Sequence, residues 1–157
     1  MRRLFRITVA LALLSMLAAG CKSGSKSAET QSGGSAAMAE PSLYTRLGGE
    51  PALKAVVDQF VANVAADSRI NRFFATTNLD HLKAQLVNQI GQATGGPQKY
   101  TGRDMKTTHA GMGIAEADFN ALVEDLVKAL DQFKVSEAEK SQLLAILGPM
   151  KSDIVEK

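Results

Sequence analysis

The stretch that decides the reading of this chain runs from residue 95 to residue 114: Gly95-Gly96-Pro97-Gln98-Lys99-Tyr100-Thr101-Gly102-Arg103-Asp104-Met105-Lys106-Thr107-Thr108-His109-Ala110-Gly111-Met112-Gly113-Ile114. It carries one of the two histidines in 157 residues. It has little helical periodicity, five glycines and room for only a short helix near 104–110. A plain helical bundle has no use for so long an irregular connection, and such excursions in compact domains are usually functional. An isolated histidine is more often an ordinary structural residue than a ligand, so the meaning of His109 has to come from what surrounds it.

On either side the pattern is helical. Gly48-Gly49 is a break, and Pro51 suits the first turn of a helix, where its missing N–H costs nothing. Leu53, Val56, Val57, Phe60, Val61 and Val64 follow at helical spacing. Asp67-Ser68 can cap a short turn with Ile70, Phe73 and Phe74. Leu79, Leu82, Leu86 and Ile90 form a second stripe, which Gly95-Gly96-Pro97 stops. Phe119 to Leu130 marks a third helix, and Ser136 with Glu139 opens a fourth as a capping box. Pro149 falls inside that last pattern and should interrupt it. Four main helices, few aromatics (5%) and no Trp describe an all-α domain with an aliphatic core.

The chain's formal charge is +2. From residue 42 onward, however, thirteen basic residues meet fourteen acidic ones. No basic stripe marks this part, which argues against nucleic acid as a partner. The excess positive charge lies in Arg2, Arg3, Arg6, Lys22 and Lys26. The three arginines precede an apolar run, Ile7–Ala19, too short to span a bilayer comfortably. Leu17-Ala18-Ala19-Gly20-Cys21 then resembles a bacterial lipoprotein signal, with the chain's single cysteine at the cleavage point. Residues 1–20 are expected to be a signal peptide. Cys21 is expected to be lipidated, and 21–41 to form a Ser/Gly-rich linker with an end-to-end distance of roughly 25 Å. Residues 42–157 form the folded domain. The chain is then exported and lipid-anchored to a bacterial membrane, on the periplasmic or outer-membrane side if the source is Gram-negative.

In order and spacing, the domain resembles the group I truncated haemoglobins across residues 42–155. The matching pieces are Leu43-Tyr44 with Leu47-Gly48-Gly49, then Phe73-Phe74, Asn78-Leu79, Leu82-Lys83, Gly95-Gly96-Pro97, Tyr100-Thr101-Gly102, Met105-Lys106 and His109. No piece alone is specific; the series is. The resemblance implies a two-over-two helical sandwich, helices B and E over G and H, around haem b. It makes the short helix near 104–110 the F helix and His109 the proximal iron ligand. The other imidazole N–H would then be donated to a backbone carbonyl, that of Met105 one turn back. Gly111 and Gly113 would let the chain leave the haem face.

The same resemblance places Phe74 on the haem face. It offers Phe60, Ile90, Tyr100, Met105, Met112, Ile114, Phe119 and Leu147 as pocket wall, although each could be ordinary core. Lys99, Tyr100 and Arg103 are candidates for the propionates. His81, one residue before Leu82, reads as a surface or haem-edge residue and not as a second ligand.

One departure bears on mechanism. Group I members typically carry Tyr directly after the Phe60 position and often Gln one turn beyond the Leu82 position; both donate hydrogen bonds to the bound gas. Here Val61, Leu82 and Leu86 stand at the distal positions, all apolar. One hydrogen bond to a charged group is worth roughly 1.5–3 kcal/mol, so oxygen should leave about tenfold to a hundredfold faster unless Gln85 or Gln89 supplies a donor. CO or NO should bind normally. Three functions compete: a reversible binder of a diatomic gas, an NO-converting or peroxidase-like haem enzyme, and a haem-free interaction module. An enzyme would need retained oxygen and a reductant that the sequence does not name, so the reading leans toward the binder.

Overall fold

The computed structural model describes residues 40–157; the signal segment, Cys21 and the linker up to residue 39 lie outside the described residues. Within them the chain is helical, and no strand occurs among the described residues. The elements are α1 (Leu43–Arg46), α2 (Gly49–Ala66), a 3-10 turn (Asn71–Phe74), α3 (Leu79–Ala93), α4 (Met105–His109), α5 (Glu116–Gln132) and α6 (Glu137–Leu147). A second 3-10 turn (Gly148–Met150) then leads into α7 (Lys151–Ile154). Among the described residues no helix is long and apolar enough to cross a membrane.

The hydrophobic stripe of α2 organises the core. Leu53, Val56, Val57, Phe60, Val61 and Val64 are all buried, and α2 packs against both α3 and α5. From α5, Leu126, Ala129 and Leu130 complete the packing, and α6 adds Leu143. Leu79, placed at the head of the α3 stripe, is 37% exposed. The helix begins there beyond the end of the core, and the inward face is carried instead by Val87, Ile90 and Gly91.

The helix ends follow local chemistry. Gly95, at φ +86°, ends the run of α3 by taking a left-handed conformation that a side chain disfavours. The Ser136–Glu139 capping box is formed in both directions. At Pro149 the α-helix gives way to the 3-10 turn, because proline cannot donate the backbone hydrogen bond. A short helix not foreseen in the sequence, α1, buries Leu43 and donates Tyr44 N–H to the Thr94 carbonyl at 2.9 Å, closing the end of α3.

Candidate haem cleft and its proximal histidine

A five-residue helix has no independent stability in water, so α4 must be held from outside. At its N-terminus the Asp104 side chain accepts the Thr107 N–H at 2.8 Å. That bond keeps the Asp104 carboxyl below its ordinary range. Along its length α4 packs chiefly on α7. His109 is the last residue of α4 and half-buried. Its Nδ1 lies 2.7 Å from the Met105 carbonyl oxygen. A carbonyl only accepts, so Nδ1 carries a proton, and in the neutral tautomer the lone pair is on Nε2.

His109 lines a cleft of about 400 Å³ bounded by the Ile70–Phe74 segment, α3, the loop before α4, and α5. That volume lies within the range of cofactor sites. Of the sequence-derived candidates, Phe74, Leu82, Gln85, Tyr100, His109, Met112, Ile114 and Phe119 line it together. Arg103 and His81 stand on it as well, whereas Lys99 does not. Tyr100 is fixed by its hydroxyl, which donates to the Arg103 carbonyl at 2.7 Å.

Several wall candidates take other places. Phe60, Val61 and Ile90 are at most 6% exposed and belong to the core behind the cleft; Leu86 and Leu147 pack against that core. The reason is helical geometry: the inward stripe of α2 packs between α3 and α5, so the residues on it are covered by those helices. Met105 contributes its carbonyl and its sulfur, not a cleft surface. Conversely, Ile70, Phe73, Asp118, Leu122 and Ile154 line the cleft unforeseen. Phe73 and Leu122 lay on apolar stripes already visible, but nothing in a stripe says which members face a cavity.

The two glutamines separate. Gln89 donates its amide N–H toward Met150 Sδ at 3.3 Å and Met105 Sδ at 3.6 Å, and does not reach the cleft. Gln85 does line it, and its side-chain oxygen is buried without a hydrogen-bond partner. A buried polar atom left unpaired costs stability and signals a missing partner.

These observations fit haem. Among the described residues no three side chains are grouped to hold a metal ion, so a metal bound by His109 would need its remaining ligands from a cofactor. The apolar walls suit a macrocycle, and Arg103 and His81 offer a polar border suited to carboxylates.

Comparison with known proteins agrees. A family model described as bacterial-like globin matches residues 42–156. The group 1 truncated hemoglobin GlbN of Mycolicibacterium paratuberculosis is 38% identical over 117 residues, 74% of this chain and 86% of that one. The group 1 truncated hemoglobin of Tetrahymena pyriformis is 33% identical over 73% of this chain and 95% of its own. The crystal structure of the Tetrahymena pyriformis protein in its Fe(III) form superposes with a TM-score of 0.72 at 32% identity, covering 74% of this chain and 100% of that one. A Synechococcus 2/2 hemoglobin with covalently attached heme gives 0.70 at 31% identity, with the same coverage. The two-over-two sandwich thus holds for α2 and α3 over α5 and α6, and the chain belongs to the group 1 truncated hemoglobins of the bacterial-like globin family.

Proposed function

We propose that this protein binds haem b through His109 and uses it to bind a diatomic gas reversibly. The observation that carries the reading is the His109 ring on the cleft with Nδ1 committed to the Met105 carbonyl and Nε2 free. When bound, haem supplies an iron with a coordination position for a small gas. The chain's own residues do the rest. The Nδ1–H···O bond fixes tautomer and ring orientation and raises the basicity of Nε2. Phe74, Leu82, Ile114 and Phe119 exclude water from the cofactor's faces. Gln85, rather than Gln89, is the polar group positioned to meet the gas, since Gln89 is held by two methionine sulfurs.

The absorption spectrum tests this reading. Purified protein supplied with hemin should show a Soret band that responds to reduction and to CO. No Soret band would leave only a haem-free module. Oxygen chemistry beyond binding would need a reductant, and turnover of NO is the measurement that would reveal it.

For localisation, the arginines before an apolar run and the single Cys21 at its end support export and lipid anchoring. The linker would then let the globin domain hang near a membrane without insertion. The mass of the mature protein and its partitioning into detergent check this; an unmodified, freely water-soluble product contradicts it.

A further inference from the structure

The C-terminus of the chain reaches back to the segment that follows the proximal histidine. Glu156 accepts the Gly111 N–H on Oε1 at 2.6 Å and the Gly113 N–H on Oε2 at 2.5 Å. Its own N–H donates to the Ile114 carbonyl at 2.9 Å. Both glycines are left-handed, at φ +80° and +65°, so their N–H groups point where those of an ordinary helical continuation would not. The two bonds hold the Glu156 carboxyl below its ordinary range. Ala110 N–H still donates to the Lys106 carbonyl and Met112 N–H to the His109 carbonyl, but the N–H groups of Gly111 and Gly113 find their acceptor on Glu156, and α4 itself is little more than one turn long. Its chief packing partner, α7, is the element that delivers Glu156.

We infer that Glu156 is a positioning residue for the proximal imidazole: by gripping Gly111 and Gly113 with both carboxylate oxygens, it sets where α4 ends and thereby the height and tilt of His109 toward the haem iron. This rests on the haem reading. Supporting partners of a metal-binding histidine commonly change metal retention tenfold to a hundredfold when lost, and Glu156 acts one step further out, on the backbone that carries the ligand.

The test uses the full chain loaded with hemin. Two quantities are read: the rate of hemin transfer to excess apomyoglobin, and the iron–histidine stretching band of the reduced, ligand-free form by resonance Raman. Glu156→Ala removes both acceptors and should release hemin about tenfold faster, with a shifted or broadened band. Glu156→Gln keeps one acceptor and turns an N–H₂ group against the other glycine, so it should fall between. Asp153→Asn removes the same charge from the exposed face of α7 without touching the loop, and should match the unmodified protein in both readouts. A band that moves in the two Glu156 variants and not in Asp153→Asn separates positioning of His109 from a general loss of stability. If both Glu156 variants keep the unmodified band and release rate, the inference is overturned while the haem reading stands. If the unmodified chain takes no hemin, both fall together.

Discussion

The two sides of the cleft are built on opposite principles. The proximal side is a polar scaffold made by a helix too short to stand alone. Asp104 caps it, Met105 orients His109, and Glu156 ties down the glycines beyond it. The distal side is α3, a fifteen-residue helix tied down at its ends, which presents Leu82 together with His81 and Gln85. Where the chemistry needs one atom in one place, the chain uses directional hydrogen bonds. Where it needs exclusion of water, it uses side-chain bulk, which tolerates far looser geometry.

Substitutions can break this contrast, beginning with the most severe. His109→Ala should abolish the five-coordinate haem spectrum; a variant that keeps it would show that the ligand lies elsewhere. On the distal side, Leu82→Gln places a donor on the cleft wall and should slow oxygen release by about tenfold to a hundredfold in flash or stopped-flow measurements, since one such bond is worth roughly 1.5–3 kcal/mol. Gln85→Leu should act in the reverse direction, speeding oxygen release about tenfold, while Gln89→Leu leaves it unchanged. Equal responses from the two glutamines would contradict their separation between cleft and methionine sulfurs.

The smallest effect concerns the segment that carries Phe73 and Phe74. Asp67 accepts the Arg69 backbone N–H at 2.9 Å and its guanidinium at 2.7 Å, and Arg69 also pairs with Glu124. The Arg69 side chain, followed by its backbone N–H, holds the Asp67 carboxyl at about 2. Its folded value lies below the ordinary one, so the pair contributes stability above about pH 4 and loses it as pH falls toward 2. Asp67→Asn should therefore lower the thermal midpoint slightly at neutral pH, and progressively less as pH falls through 2. The exposed arginine keeps the effect modest.

Much of this molecule is legible without coordinates. The periodicity of α2 gave every one of its buried residues, because a long amphipathic helix has one way to hide its apolar stripe. Ser136 with Glu139 and Pro149 marked the ends of α6 through local chemistry alone. The Met105 partner of His109 was also readable, since one helical turn sets it. Less legible was the division of apolar residues between core and cleft. Phe60 and Phe119 look alike in sequence, yet Phe60 is buried in the core and Phe119 stands on the cavity. Gln85 and Gln89 differ by one turn, yet Gln85 lines the cleft with its oxygen unpaired while Gln89 reaches two methionine sulfurs, because each meets whatever part of the fold happens to face it.

What the sequence determined by itself is therefore what local spacing controls: the helices, their caps, the family likeness, and the carbonyl one turn back that His109 meets. Those depend on residues within a turn or two of one another. Only the tertiary structure decided which distal glutamine is free, which apolar residues line the cleft, and that residue 156 grips the loop after residue 109. Contacts between residues 43 and 45 positions apart in the chain leave no periodic trace, because they arise when separately formed helices pack and bring distant hydrogen-bonding groups within reach.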